Sequence, residues 1–122
     1  MQLGAMTLKP PSRAVRLALF SAGCLLVAWL SLMPAEELPP GGLSDKSEHF
    51  IAYAALAMLG AWAFPARVLR VAAALAAFGV GVEILQATMG LGRQGDPVDA
   101  LANTIGVAVG LALWRLLRRR PA

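Results

Sequence analysis

The sequence predicts an all-α membrane protein with four transmembrane helices and both termini on the cytoplasmic side. Three observations lead there. The 122-residue chain is 58% hydrophobic and only 15% charged, too apolar for an ordinary soluble domain and too short for two. Its apolar residues gather into four stretches, each near the ~20 residues that cross a hydrocarbon core of roughly 30 Å. All but two of its eleven Lys and Arg residues fall at one set of helix ends, while all seven acids and the single histidine fall at the other.

The first span, Ala14–Met33, follows Lys9 and Arg13 and contains Arg16 near its start. A cleaved signal peptide competes with this reading, but the apolar run exceeds the usual 7–15 residues and no small-x-small cleavage site follows it. The segment Ser21-Ala22-Gly23-Cys24 is a poor lipoprotein site, because Leu25–Met33 would leave an apolar stretch after the cysteine. Cys24 reads as a buried helix residue, since one cysteine supports neither an internal disulfide nor a CxxC motif. The second span, Ser47–Phe64, is the shortest and opens on Ser47, Glu48 and His49. The third and fourth are Val68–Gly90 and Val98–Leu117.

Orientation follows from the cations. Lys9, Arg13 and Arg16 precede or open the first span, Arg67 and Arg70 lie between the second and third, and Arg115, Arg118, Arg119 and Arg120 end the fourth. The outer loops, Pro34–Lys46 and Leu91–Pro97, hold only Lys46 and Arg93 as cations, beside Glu36, Glu37, Asp45 and Asp96. The domain layout is therefore a cytoplasmic tail over 1–13, a membrane domain over 14–117 and a basic tail over 118–122. Expected partners are membrane lipids. Neither a nucleic-acid partner nor a phosphate-cradling glycine loop is expected, because Pro39-Pro40-Gly41-Gly42 and Gly90-Leu91-Gly92 punctuate outer turns. Gly106 and Gly110 form a GxxxG whose close helix contact is read as intramolecular in preference to dimerisation.

The chemistry-bearing residues sit at three outer helix ends. Asp45, His49 and Tyr53 recur at i, i+4 and i+8 and share one helical face. Glu83 and Gln86 lie one turn apart in the outward-running third span, the carboxylate about 10 Å below its end at 1.5 Å per residue. Asp99, Asn103 and Gly106 recur at i, i+4 and i+7 in the fourth, just after Arg93 and Asp96. Structural roles compete with functional ones. Asp45 with Glu48 fits a capping box, and Asp96-Pro97-Val98-Asp99 fits an N-cap, a proline at the first helical position and an acid at the positive end of the dipole. Tyr53 fits an interfacial aromatic belt, and Trp29, Trp62 and Trp114 fit packing or the interface. Glu83 is harder to read as structure: ionised and facing lipid it would cost on the order of 3 kcal/mol, so it faces inward, paired with Lys46, Arg93 or His49, or protonated.

Taken in order, Asp45-Lys46-x-x-His49-Phe50-x-x-Tyr53, Glu83-x-x-Gln86 and Arg93-x-x-Asp96-x-x-Asp99-x-x-x-Asn103-Thr104-x-Gly106 resemble the VanZ-like family of small bacterial membrane proteins. The resemblance runs from about Asp45 to Gly110 and rests on three motifs in the right order. It implies a multi-pass protein of the bacterial cytoplasmic membrane and cell envelope, whose namesake is linked to resistance to the glycopeptide teicoplanin. It carries no mechanism with it.

On this reading Asp45, Lys46, His49, Tyr53, Glu83, Gln86, Arg93, Asp96, Asp99 and Asn103 form an outward-facing polar cluster that binds an envelope lipid or a cell-wall precursor. No cofactor is expected. One histidine with scattered carboxylates is weak ground for zinc, so no metal is expected either. Two other classes stay open. An intramembrane enzyme would use His49 and Glu83 as acid and base, with Asp99 orienting the imidazole, but no nucleophile is evident. A small proton-coupled exporter would also need a membrane carboxylate, though such proteins carry it in their first span and this chain does not.

Overall fold

The computed structural model describes residues 9–37, 45–90, 92 and 95–118. Arg93, the Pro39–Gly42 turn, the side chain of Asp45, residues 1–8 of the N-terminal tail and residues 119–122 of the basic tail lie outside the described set. Four long helices, α1 (Arg13–Leu32), α2 (Asp45–Ala63), α3 (Val68–Thr88) and α4 (Pro97–Arg118), follow the four apolar stretches to within two residues at each end. A short 3₁₀ turn covers Ala35–Glu37.

Local chemistry sets the boundaries. Ser12 caps α1, its hydroxyl accepting from the Val15 N–H at 3.3 Å, and the helix stops where Met33 turns extended ahead of Pro34. A tight turn through Pro65 joins α2 to α3, with the Arg67 N–H donating to the Phe64 carbonyl. At the end of α3, Gly90 takes a positive φ of 65°, the left-handed conformation that glycine enters without cost. Asp96 opens α4: its Oδ1 accepts the Val98 N–H at 2.9 Å across Pro97.

Three cross-helix contacts show an up-down-up-down bundle. The Arg16 guanidinium donates to the Trp62 carbonyl at 2.9 Å, placing the start of α1 beside the end of α2. The Gln86 amide donates to the Ser31 carbonyl at 2.7 Å, joining the C-terminal ends of α3 and α1. Lys46 reaches Asp96 at 3.3 Å, joining the starts of α2 and α4.

The α2–α4 seam is the tightest, and small residues make it so. A Cβ on Gly106 would run into the Phe50 carbonyl, and one on Gly110 into that of Ala54. The GxxxG is therefore spent inside the molecule, where it lets two backbones approach. Tyr53, Leu56 and Ala57 of α2 form the core with Val71 and Leu75 of α3 and Val107 of α4. In α1 no residue is buried, and Leu25 and Trp29 are about seven-tenths exposed. Tyr53, by contrast, is 1% exposed, so it is a core residue and not part of an interfacial belt.

The molecule is inverted relative to a soluble protein. Ile84 and Leu85 face outward while Glu83 between their neighbours faces in, and Gln86, Asp99 and Asn103 are buried as well. Only a surrounding without water makes that distribution favourable. Helices α1, α3 and α4 are long and apolar enough to cross a membrane, which makes this a multi-pass membrane protein. With 19 residues α2 is about 28 Å long. It falls short of the other three in apolarity, because Asp45, Lys46, Glu48 and His49 fill its first turns.

Candidate functional site

The N-terminal ends of α2 and α4 and the C-terminal part of α3 converge on one histidine. His49, one turn into α2, has its Nδ1 2.8 Å from the side-chain oxygen Oδ1 of Asn103 on α4 and 3.8 Å from Glu83 Oε1 of α3. The His49 and Glu83 side chains are only about a tenth exposed, and Asp99, one turn before Asn103, is buried as well. A ring nitrogen of His49 and one carboxylate oxygen each from Glu83 and Asp99 all lie within 4.8 Å of one another. Groups separated by 34 residues between His49 and Glu83, and by 16 more to Asp99, thus form one centre.

Around that centre stands a ring of supports. The other oxygen of Glu83, Oε2, accepts the Asp96 N–H at 3.1 Å, so the turn that caps α4 also holds the carboxylate. Gly95 sits against the α3 backbone, where a Cβ would lie 2.6 Å from Ala87 Cβ and 2.9 Å from the Glu83 carbonyl. Lys46 lies at the rim, 53% exposed, with its ammonium 3.3 Å from Asp96 and 3.5 Å from Asp99. Its hydrogen bond to Asp96, and then the charges of Asp96 and Asp99, raise the Lys46 pKa above its ordinary value. Asp96 is held below its ordinary value by the Val98 N–H first and Lys46 second. Asp96 is thus the helix cap expected from the sequence and, in addition, the ion-pair partner of Lys46.

Beneath the centre, Gly79 makes room. The point a Cβ would occupy there is 3.1 Å from Asn103 Nδ2 and 3.2 Å from Tyr53 Cε1, so phenol and amide close over the same spot of α3, one turn below Glu83. Tyr53 is packed obliquely on Phe78, with ring centroids 6.1 Å apart. Among the described residues its hydroxyl and Asn103 Nδ2 have no hydrogen-bond partner, although both residues are 1% exposed.

A family model described as VanZ/LLP1 matches residues 13–118. The chain belongs to the VanZ/LLP1 family. The match takes in all four helices, so it extends the likeness carried by the three polar motifs to α1, where the sequence offers only an apolar run. No curated protein and no solved structure matches it.

Most residues expected at the site meet there: Lys46, His49, Glu83, Asp96, Asp99 and Asn103 form the centre and its rim, with Tyr53 beneath. Gln86 departs from the expectation. Its amide is turned to the Ser31 carbonyl, one of those left without a helical partner at the end of α1. It ties down the helix that buries least, and its contribution is to the bundle. Of the three partners considered for Glu83, His49 lies 3.8 Å away, and Arg93 lies outside the described residues. Glycines 79 and 95 are the contributors that motif reading missed. Their signal was faint: Gly79 stands one turn from Glu83, and Gly95 directly precedes the Asp96 cap.

The arrangement suits three tasks. A His–carboxylate pair can pass a proton. A buried set of donors and acceptors can grip a polar group against an apolar wall. An imidazole with two carboxylates can ligate a cation.

Proposed function

We propose that this VanZ/LLP1-family protein binds the polar headgroup of an envelope lipid or cell-wall precursor at the outer face of the bacterial cytoplasmic membrane, and that it contributes to glycopeptide (teicoplanin) resistance. In this reading α2 is the fourth span, both termini are cytoplasmic, and the lipid's tails lie along the outward apolar faces. The observation that carries it is the buried His49–Asn103–Glu83–Asp99 centre at the bundle end that faces outward by the Lys and Arg rule. A polar centre buried at such cost marks a functional site in a membrane helix bundle. Its rim cation and amides match phosphate, carboxylate and peptide groups.

The reading is tested by teicoplanin susceptibility in a sensitive Gram-positive host expressing wild type, His49→Ala, Glu83→Gln or Asp99→Asn at equal membrane levels, alongside headgroup binding to the purified protein in nanodiscs. Protection and binding are expected for wild type and absent from the three variants. A protein that binds no envelope lipid or precursor sinks the proposal.

One observation favours a second reading, intramembrane catalysis: the 3.8 Å approach of His49 to Glu83 is within the range that substrate binding tightens to a proton-transfer contact. Turnover of an envelope lipid that Glu83→Gln abolishes would establish it.

A further inference from the structure

At the end of the bundle opposite His49, four arginines share one space. Arg67 and Arg70 at the start of α3 and Arg115 and Arg118 at the end of α4 line an open cleft of about 590 Å³, within the roughly 300–1,000 Å³ of ligand sites. All four are exposed, and among the described residues none of them meets a carboxylate. No acid lines the cleft.

Helix chemistry accounts for half of this cluster. Arg115 and Arg118 stand in the last turn of α4, where the dipole favours cations. Arg67 and Arg70 stand at the N-terminus of α3, where it disfavours them, and neither an acid in the first turn nor a side-chain cap offsets their charge. The Lys and Arg rule explains cations at this end but does not require four of them in one cleft. An anion held among them relieves their mutual repulsion and the conflict with the α3 dipole together. The cleft also presents apolar surface, since Leu69 on its wall is three-quarters exposed and Trp114 is half-buried. Both α3 and α4 are apolar enough to cross a membrane, so the cleft opens where their apolar runs end, at the level of lipid headgroups. A free anion leaves Leu69 and Trp114 uncovered, whereas a lipid covers them with its glycerol and acyl chains.

We propose that this cleft binds an anionic phospholipid carrying two phosphates in its headgroup, one phosphate for the α3 pair of arginines and one for the α4 pair. Within each pair the arginines are three residues apart, a spacing that on a helix sets Cβ atoms about 5–6 Å from each other, so both guanidinium groups reach one phosphate. Arginine suits this better than lysine, because its planar fork takes two phosphate oxygens at once. The long stems match the charge count of the headgroup and leave its pose free, so the selection is by number of phosphates. The site lies at the other end of the bundle from His49 and does not depend on the headgroup proposal made there.

The experiment is native mass spectrometry of the full-length protein in mild detergent, titrated separately with cardiolipin, which has two phosphates, phosphatidylglycerol, which has one, and zwitterionic phosphatidylcholine. Inorganic pyrophosphate is added as a diphosphate without a lipid. One cardiolipin is expected to be held at least about fivefold more tightly than phosphatidylglycerol, with phosphatidylcholine weaker still and pyrophosphate unable to displace the lipid. Arg70→Gln and Arg115→Gln should each weaken cardiolipin binding about fivefold and together about 25-fold, while Arg70→Lys retains more than Arg70→Gln. Arg13→Gln removes an exposed cation of α1 outside the cleft and should bind as wild type. Equal retention of the three lipids, unchanged binding in the double variant, or a loss in Arg13→Gln as large as in Arg70→Gln would each overturn the proposal. Displacement by pyrophosphate would overturn it as well, by showing a site for free anions.

Discussion

The two ends of this bundle carry opposite chemistry and are built in opposite ways. At the Asp96 end, carboxylates, an imidazole and an amide converge and are buried or nearly so, each held by a partner on another helix. At the opposite end, Arg67, Arg70, Arg115 and Arg118 line an open cleft of about 590 Å³ with Trp114. The difference separates positioning from anchoring. Cations on long stems reach headgroups without a defined geometry, each worth about 1 kcal/mol near an anionic surface. A centre of four buried polar side chains works only if three helices meet in register, so the α2–α4 seam is made of glycine backbone contacts.

The sharpest way to break the comparison is at that seam. Gly110→Leu would force a side chain into the Ala54 carbonyl and push α4 from α2, at a cost above the roughly 1–3 kcal/mol of ordinary overpacking. Loss of monodisperse protein on gel filtration in mild detergent is expected, whereas Arg115→Leu at the arginine-rich end should elute as wild type. Next in size is Asn103→Leu, which removes the 2.8 Å His49–Asn103 hydrogen bond from a largely water-excluded site, a loss of about 1–3 kcal/mol. A lowered thermal midpoint in the same detergent checks it. Gln86→Leu should cost less in global stability but free the end of α1, read as faster amide exchange near Ser31 with little change around His49.

The smallest effect belongs to the exposed rim. Asp96→Asn keeps the cap oxygen for Val98 and removes the charge that Lys46 meets. Because the folded Asp96 carboxyl lies below its ordinary 3.8, its charge stabilises the protein above that value and ceases to do so as pH falls through the lowered one. The raised Lys46 pKa acts at the other end of the scale: its contribution is present below 10.5 and is lost as pH rises through the higher folded value. A small difference in midpoint between wild type and Asp96→Asn is therefore expected at neutral pH, vanishing in strong acid and shrinking in high salt. A difference that grows in acid would show that the rim pair does not stabilise the fold.

Much of this was legible before any coordinates. Helix boundaries could be read to within two residues from the ends of the apolar runs, with Gly90 and Asp96-Pro97 as local punctuation acting through backbone geometry. Glu83 was legible as an inward residue because a charge flanked by Val82 and Ile84 has no other favourable place in lipid. Gln86 was misjudged for the same reason it was noticed. Helical spacing puts it one turn from Glu83, but its amide answers to a carbonyl on α1, 55 positions away. Tyr53 fitted an aromatic belt on type and depth, and became core only because Gly79 and Asn103 leave a slot for its ring.

The sequence by itself determined that there are four helices, where each begins and ends, which family they belong to, and at which bundle end the polar residues gather. Those properties follow from hydrophobic runs and turn chemistry, which operate over tens of residues at most. Tertiary structure decided that His49, Glu83 and Asp99 share a single space while Gln86 is turned away. That choice depends on how close α2 and α4 come and how α3 is rotated against them, and it is set by side-chain-free contacts at Gly79, Gly95, Gly106 and Gly110. A missing Cβ leaves little trace in a one-dimensional pattern, yet in three dimensions it determines whether two scattered acids and a histidine become one site.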